Sequence, residues 1–186
     1  MVLDTLSLRF ALGVVALTLC LLFHGSFRRT RSAYSGWWCV ALAFFLAGNV
    51  AFLLTGTPQQ LWAGPAGNAL LVAGAFSVWA GSRSLRLLPV PRWQLLTAPA
   101  ATALASALEN PASNPWSGAP VYLVMMAVGM GLATRELWLL KPGSSQVRRT
   151  LALAAGILAG YYFCRWPVFL VEGPDGRLSA PISAPP

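Results

Sequence analysis

Apolar and polar residues alternate in long blocks along this chain of 186 residues. Six apolar stretches predict helices at about 8–27, 37–55, 65–81, 93–108, 119–140 and 151–171, most near the roughly 20 residues that cross about 30 Å of hydrocarbon. Residues 10–27 and 37–55 carry no charge. The third stretch is shorter but recruits Leu61 and Trp62 through Pro65 at one end. The fourth is the weakest, because Ala, Thr and Ser replace Leu and Ile and Pro99 interrupts it, so it needs shielding by its neighbours. The fifth and sixth each hold an internal charge. The pattern predicts an all-α, six-span membrane bundle over residues 1–172, with a disordered Ser/Ala/Pro-rich tail at 173–186.

The polar gaps differ in kind. Arg28, Arg29 and Arg31 follow the first stretch, Arg83, Arg86 and Arg92 the third, and Arg135, Lys141, Arg148 and Arg149 close the fifth, so three gaps hold ten of the thirteen basic residues. The gaps 56–67 and 109–118 contain no Lys or Arg. Short basic loops stay cytoplasmic, which places the amino terminus outside and, after six spans, the carboxyl terminus outside as well. Aromatic residues mark the same boundaries, with Tyr34, Trp37 and Trp38 on the inner face and Trp62 and Trp116 on the outer. Pro58, Pro65, Pro111, Pro115 and Pro120 crowd the outer gaps, where turns replace helix.

Composition agrees. With 56% hydrophobic and 10% charged residues and a mean hydropathy of +0.62, the chain is too apolar for an ordinary soluble domain. Its net charge of +8 would point to nucleic acid in a soluble protein, but these positives sit beside spans, where attraction to anionic headgroups is the simpler reading and no nucleic-acid partner is expected. The first stretch lacks a basic leader and a small-x-small cleavage site, which reads as a retained anchor. Cys20, Cys39 and Cys164 form no close pair in sequence and argue against a disulfide framework. Twelve Arg against one Lys, with abundant Ala, Gly and Pro, is the composition of a bacterial genome rich in G and C. The longest polar segment, about fifteen residues, is too short for a soluble domain of at least about fifty.

Little in the chain carries chemistry. A single histidine, no HExxH, CxxC, Walker loop or GxSxG leaves no catalytic residues, metal site or cofactor to assign. His24 reads as a polar interface residue or as a proton-linked switch. Arg165 is the most informative polar residue, a guanidinium in the outer half of the sixth span, one turn beyond Tyr161 and two turns before Glu172. These three form a candidate ligand-sensing group, against the simpler reading that Arg165 snorkels to the outer headgroups. Arg135 and Glu136 point about 100° apart on a helix and do not pair with each other. Glu136 could meet an Arg of the inner loops and tie the fifth span to a neighbour, or both are ordinary interface residues. Asn49 and Asn68 are candidate interhelical hydrogen-bonding residues. Ala152, Gly156, Gly160 and Cys164 recur at fourfold spacing, as do Ala127 and Gly131, and allow close helix packing.

Three strings add a family resemblance: RTRSAYSGWWC from Arg29 to Cys39, GTPQQLWAGPAGNALLVAGAFSVWAGSRSLR from Gly56 to Arg86, and YYFCRWPVFLVEGPDG from Tyr161 to Gly176. They resemble the amino-terminal membrane region of actinobacterial membrane-bound GGDEF proteins, the diguanylate cyclases. In such proteins a multi-span region precedes a cytoplasmic domain that condenses two GTP molecules into cyclic di-GMP with Mg²⁺. This chain has no Gly-Gly dipeptide and so no GGDEF signature. An outside amino terminus with a cytoplasmic output domain also needs an odd number of spans, whereas six are predicted. The resemblance therefore implies a non-enzymatic sensor or input module of a bacterial inner membrane, a truncated relative that pairs with lipid, with itself or with a full-length cyclase. A small transporter or permease subunit is the rival expectation.

Overall fold

The computed structural model describes residues 5–54, 57–111, 114, 116–140 and 146–172, without the side chains of residues 5–12, 16, 147 and 172. The predicted disordered tail at 173–186 lies outside the described residues. Six helices follow one another: α1 (Thr5–Thr30), α2 (Ala33–Phe52), α3 (Gln60–Ser84), α4 (Arg92–Leu108), α5 (Ala119–Trp138) and α6 (Gln146–Glu172). No strand occurs among the described residues. Each helix overlaps one predicted stretch, and most extend a few residues into the flanking gaps.

The turns show why the helices stop where they do. Arg31 takes a left-handed φ of 51° while its N–H still bonds the Phe27 carbonyl at 2.7 Å, which closes α1. Ser32 then caps α2, accepting the Ser35 N–H at 3.3 Å on its hydroxyl, so two residues suffice for the hairpin. Before α5 stands Gly118 at φ +73°, pressed against α4, where a Cβ would lie 2.0 Å from Ser106 Oγ. Only glycine fits there.

Neighbouring helices run up and down. Gly36 lies against Phe27 and Gly13 against Leu46, so α1 and α2 are antiparallel. Gly48 against Leu71 and Gly74 against Phe45 show the same for α2 and α3. Gly48 and Gly67 bring these two backbones together, since a Cβ on Gly48 would come within 3.1 Å of the Gly67 carbonyl oxygen. Asn68 meets Ser117 near one end of α3 and Glu136 meets Arg83 near the other, so α3 and α5 run parallel. Thr134 against Gly156 and Tyr122 against Tyr162 make α6 antiparallel to α5. Among the described residues the helices form a row, α1, α2, α3, α5, α6, with α4 packed on α3 and α5. This arrangement gathers the three basic gaps at one end.

The core lies on α3. Val72, Ala75, Phe76, Val78 and Trp79 pack with Ala41 of α2, Ala98 of α4, and Met126, Met130 and Ala133 of α5. Surface polarity is inverted relative to a water-soluble protein. On α4, Thr102 and Ser106 are 0% exposed whereas Leu96, Leu104 and Leu108 are 71%, 62% and 76% exposed. Buried hydroxyls close on their own helices, Thr102 to the Ala98 carbonyl at 2.9 Å, Ser77 to Ala73 at 2.8 Å and Ser82 to Val78 at 2.9 Å. Leucine outside and hydroxyl inside is the arrangement an apolar solvent selects.

Four helices, α2, α3, α5 and α6, are long and apolar enough to cross a membrane. The weak fourth stretch forms only 17 helical residues. At 1.5 Å per residue it reaches about 26 Å, short of the roughly 30 Å hydrocarbon layer. It is also shielded on one face only, because α3 and α5 cover its small polar side and leave its leucines outside. α1 has ample length, about 39 Å for 26 residues, and exposes Val14, Val15, Leu21 and Leu22.

Candidate functional site

Two polar clusters lie toward opposite ends of α3 and α5. The first is ionic. Glu136 sits in the last turn of α5 and is 2% exposed. Its Oε1 accepts from Arg83 Nη1 at 3.4 Å, and its Oε2 accepts from Arg86 Nη1. Arg83 is held on three sides, since its Nε donates to the Pro89 carbonyl at 2.7 Å and its guanidinium lies 5.6 Å from the Trp79 ring centroid. Two guanidinium groups on one carboxylate leave a net positive charge, and the Arg side chains remain 24% and 30% exposed. Arg135 is exposed, about 100° around the helix from Glu136, and takes no part in the cluster. Sequence alone registered Arg83 and Arg86 as topology charges. That Glu136 could meet an Arg of the inner loops was legible in the sequence, but which two arginines share it emerges only when α3 and α5 pack in parallel.

The second cluster joins α3, α4 and the start of α5. Asn68 Nδ2 donates to Ser106 Oγ at 3.0 Å and to the Ser117 carbonyl at 3.2 Å. Ser117 Oγ donates to the Ser106 carbonyl at 2.8 Å, and the Gly118 N–H donates to Glu109 Oε2 at 2.7 Å. Gln60 Nε2 reaches the Pro111 carbonyl at 2.9 Å. Sequence reasoning singled out Asn68 but missed Ser106, Ser117 and Glu109. The one available signal was Glu109, the sole acidic residue in either gap free of Lys and Arg.

The other singled-out residues fall elsewhere. Asn49, expected between helices, donates from Nδ2 to the Phe45 carbonyl of its own helix at 2.8 Å. Arg165 Nη1 donates to Tyr161 Oη at 2.8 Å. Tyr161 is T-shaped on Tyr162, and Tyr162 on Tyr122 of α5, with centroids 5.4 Å and 6.0 Å apart. Arg165 thus has a partner one turn back on its own helix, at the open edge of an aromatic row. Glu172 ends α6, and its side chain lies outside the described residues.

The fourfold row on α6 divides. Ala152 is buried and Gly156 faces Thr134, but Gly160 and Cys164 are exposed and nothing lies within 4 Å of a Cβ built on Gly160. Four residues advance about 400°, so such a row drifts roughly 40° per step around the helix. The seam facing α5 instead alternates steps of four and three through Arg148, Ala152, Ala155, Ala159, Tyr162, Trp166 and Phe169. Beyond that seam α6 is uncovered, with Leu153, Ile157, Phe163 and Leu170 exposed.

Cys20 and Cys39, apart in sequence, are neighbours across α1 and α2, with Cys20 Sγ 4.0 Å from the Cys39 carbonyl. Beside them a groove of about 360 Å³ opens between the end of α1 and the start of α2, lined by His24, Phe27, Ala33, Gly36, Trp37, Cys39 and Val40. No group of three His, Cys, Asp or Glu able to hold a metal occurs among the described residues. No family model, curated protein or solved structure matches the chain.

Proposed function

We propose that this chain is a non-enzymatic input module of a bacterial inner membrane, which relays an event at its outer loops to a partner through α3 and α5. The observation supporting this reading is that these two helices share both polar clusters. Asn68 and Arg83 are 15 residues apart on α3, about 22 Å along its axis. Ser117, two residues before α5, and Glu136, in its last turn, are the corresponding contacts on the other helix. A shift of α3 against α5 at the outer cluster therefore acts on the Glu136 pairs at the other end. The uncovered face of α6 is where a partner helix or lipid would lie.

Between the clusters the seam is Val72, Ala75, Phe76 and Trp79 against Met126 and Met130, all buried and apolar. A permease needs polar groups along that path, so the relay reading is preferred to transport. The partner class follows from the resemblance of the 29–39, 56–86 and 161–176 segments, which points to a membrane-bound diguanylate cyclase. The orientation that goes with it is six spans with both termini outside, α4 crossing while supported by α3 and α5.

Co-expression with such a cyclase tests the reading. Co-purification in detergent and a change in cyclic di-GMP that Asn68→Leu abolishes would support it. Unchanged cyclic di-GMP together with solute uptake into vesicles would overturn it in favour of transport.

A further inference from the structure

A groove opens on the α1–α2 hairpin. The groove of about 360 Å³ falls in the range of small-ligand sites, and most of its lining is apolar: Phe27, Ala33, Gly36, Trp37 and Val40. Its polar contributions include the His24 ring. At the same end the charge is one-sided. Arg28 lies one turn beyond His24 on the same face of α1, and Arg31 stands one turn beyond Phe27, where its N–H continues the helical bonding. Both side chains are exposed, and neither forms an ion pair among the described residues. No Asp or Glu occurs from Thr5 to Phe52 to offset them.

The groove and these exposed arginines lie at the same end of the hairpin, a combination of apolar lining and positive charge that suits an anionic amphiphile. We infer that the groove holds an acyl chain of an anionic phospholipid of the inner leaflet, with its phosphate between Arg28 and Arg31 and His24 beside it. Guanidinium groups suit phosphate because their planar N–H pairs match two of its oxygens. Trp37 places an amphipathic ring at headgroup level. The same arrangement distinguishes this hairpin from the α3–α4 end, where Arg83 and Arg86 are already engaged by Glu136. The inference rests on the orientation proposed above, with the end of α1 at the inner face.

The test uses the full chain reconstituted in vesicles of phosphatidylcholine with a minor fraction of phosphatidylglycerol, then released from detergent micelles for native mass spectrometry. Recovery of the chain in the membrane fraction reports membrane residence separately. One retained phosphatidylglycerol per chain, in preference to phosphatidylcholine, is expected. At about 1 kcal/mol per basic residue, Arg28→Gln with Arg31→Gln should weaken retention about 30-fold, or about 2 kcal/mol. Ala33→Trp, which fills the slot from an exposed position and leaves the arginines, should also abolish retention. Arg148→Gln with Arg149→Gln, remote from the groove, should leave it unchanged. Equal loss in the Arg148/Arg149 variant, equal retention of phosphatidylcholine, or retention that survives Ala33→Trp would each overturn the site.

Discussion

Neutralising Glu136 is the sharpest test of how the bundle is held together. Glu136→Gln keeps the size of the side chain and removes the charge that two guanidinium groups share. Deleting one member of a buried ion pair typically costs about 3–5 kcal/mol, because the remaining charge is stranded in a medium that cannot solvate it. Here the stranded groups are not fully buried. The Arg83 and Arg86 side chains are 24% and 30% exposed and can turn toward water or headgroups, and Arg83 keeps the Pro89 carbonyl and the Trp79 ring. The cost should therefore fall below that range, at about 2–3 kcal/mol, comparable to losing a charge-assisted hydrogen bond or two. Reversible unfolding in mixed micelles, followed by circular dichroism, measures it. A double-mutant cycle with Arg86→Gln should give a coupling of at least about 1 kcal/mol, and the cycle with Arg135→Gln none. A Glu136→Gln protein within about 0.5 kcal/mol of the parent, or equal coupling to Arg135, would refute the assignment of Glu136 as the tie between α3 and α5.

Gly118→Ala should destabilise by roughly 2–4 kcal/mol, since the new Cβ combines left-handed strain with a clash against Ser106, and the same unfolding assay reads it. On α6, Gly156→Leu should pry the helix from Thr134 and lower stability, whereas Gly160→Leu should leave the isolated chain unchanged and act only on a partner. Equal effects of the two would contradict the four-and-three seam. Reporter fusions after Arg31, Arg86, Arg149 and Pro186 should read inside, inside, inside and outside. A cytoplasmic Pro186 would remove the even span count.

Some residues announced their environment in advance and others did not. Arg28, Arg83 and Arg135 marked one end of the helices because basic loops resist translocation whatever the fold, a purely local property. Asn68 was visible as a hydrogen-bonding residue in an apolar segment, but Ser106, its partner, looked like one more small residue in an Ala-rich helix. Asn49 carried the same signal as Asn68 and yet closes on the Phe45 carbonyl of its own helix. An amide in a span must find an acceptor, and the nearest free one wins. Gly160 read as a packing residue because fourfold spacing follows the sequence, whereas the real seam follows the 3.5-residue period of two wound helices.

What the chain determined by itself was the number, order and all-helical nature of its elements and the end at which its positive charge collects, because each depends on local composition. Only the tertiary structure decided which face of each helix turns inward. In water an apolar stripe identifies the buried side, but where solvent and core are both apolar, Leu104 outside and Thr102 inside are equally compatible with the pattern. The pairing of Glu136 with Arg83 and Arg86, the knot around Gly118 and the groove beside His24 all follow from that choice of faces.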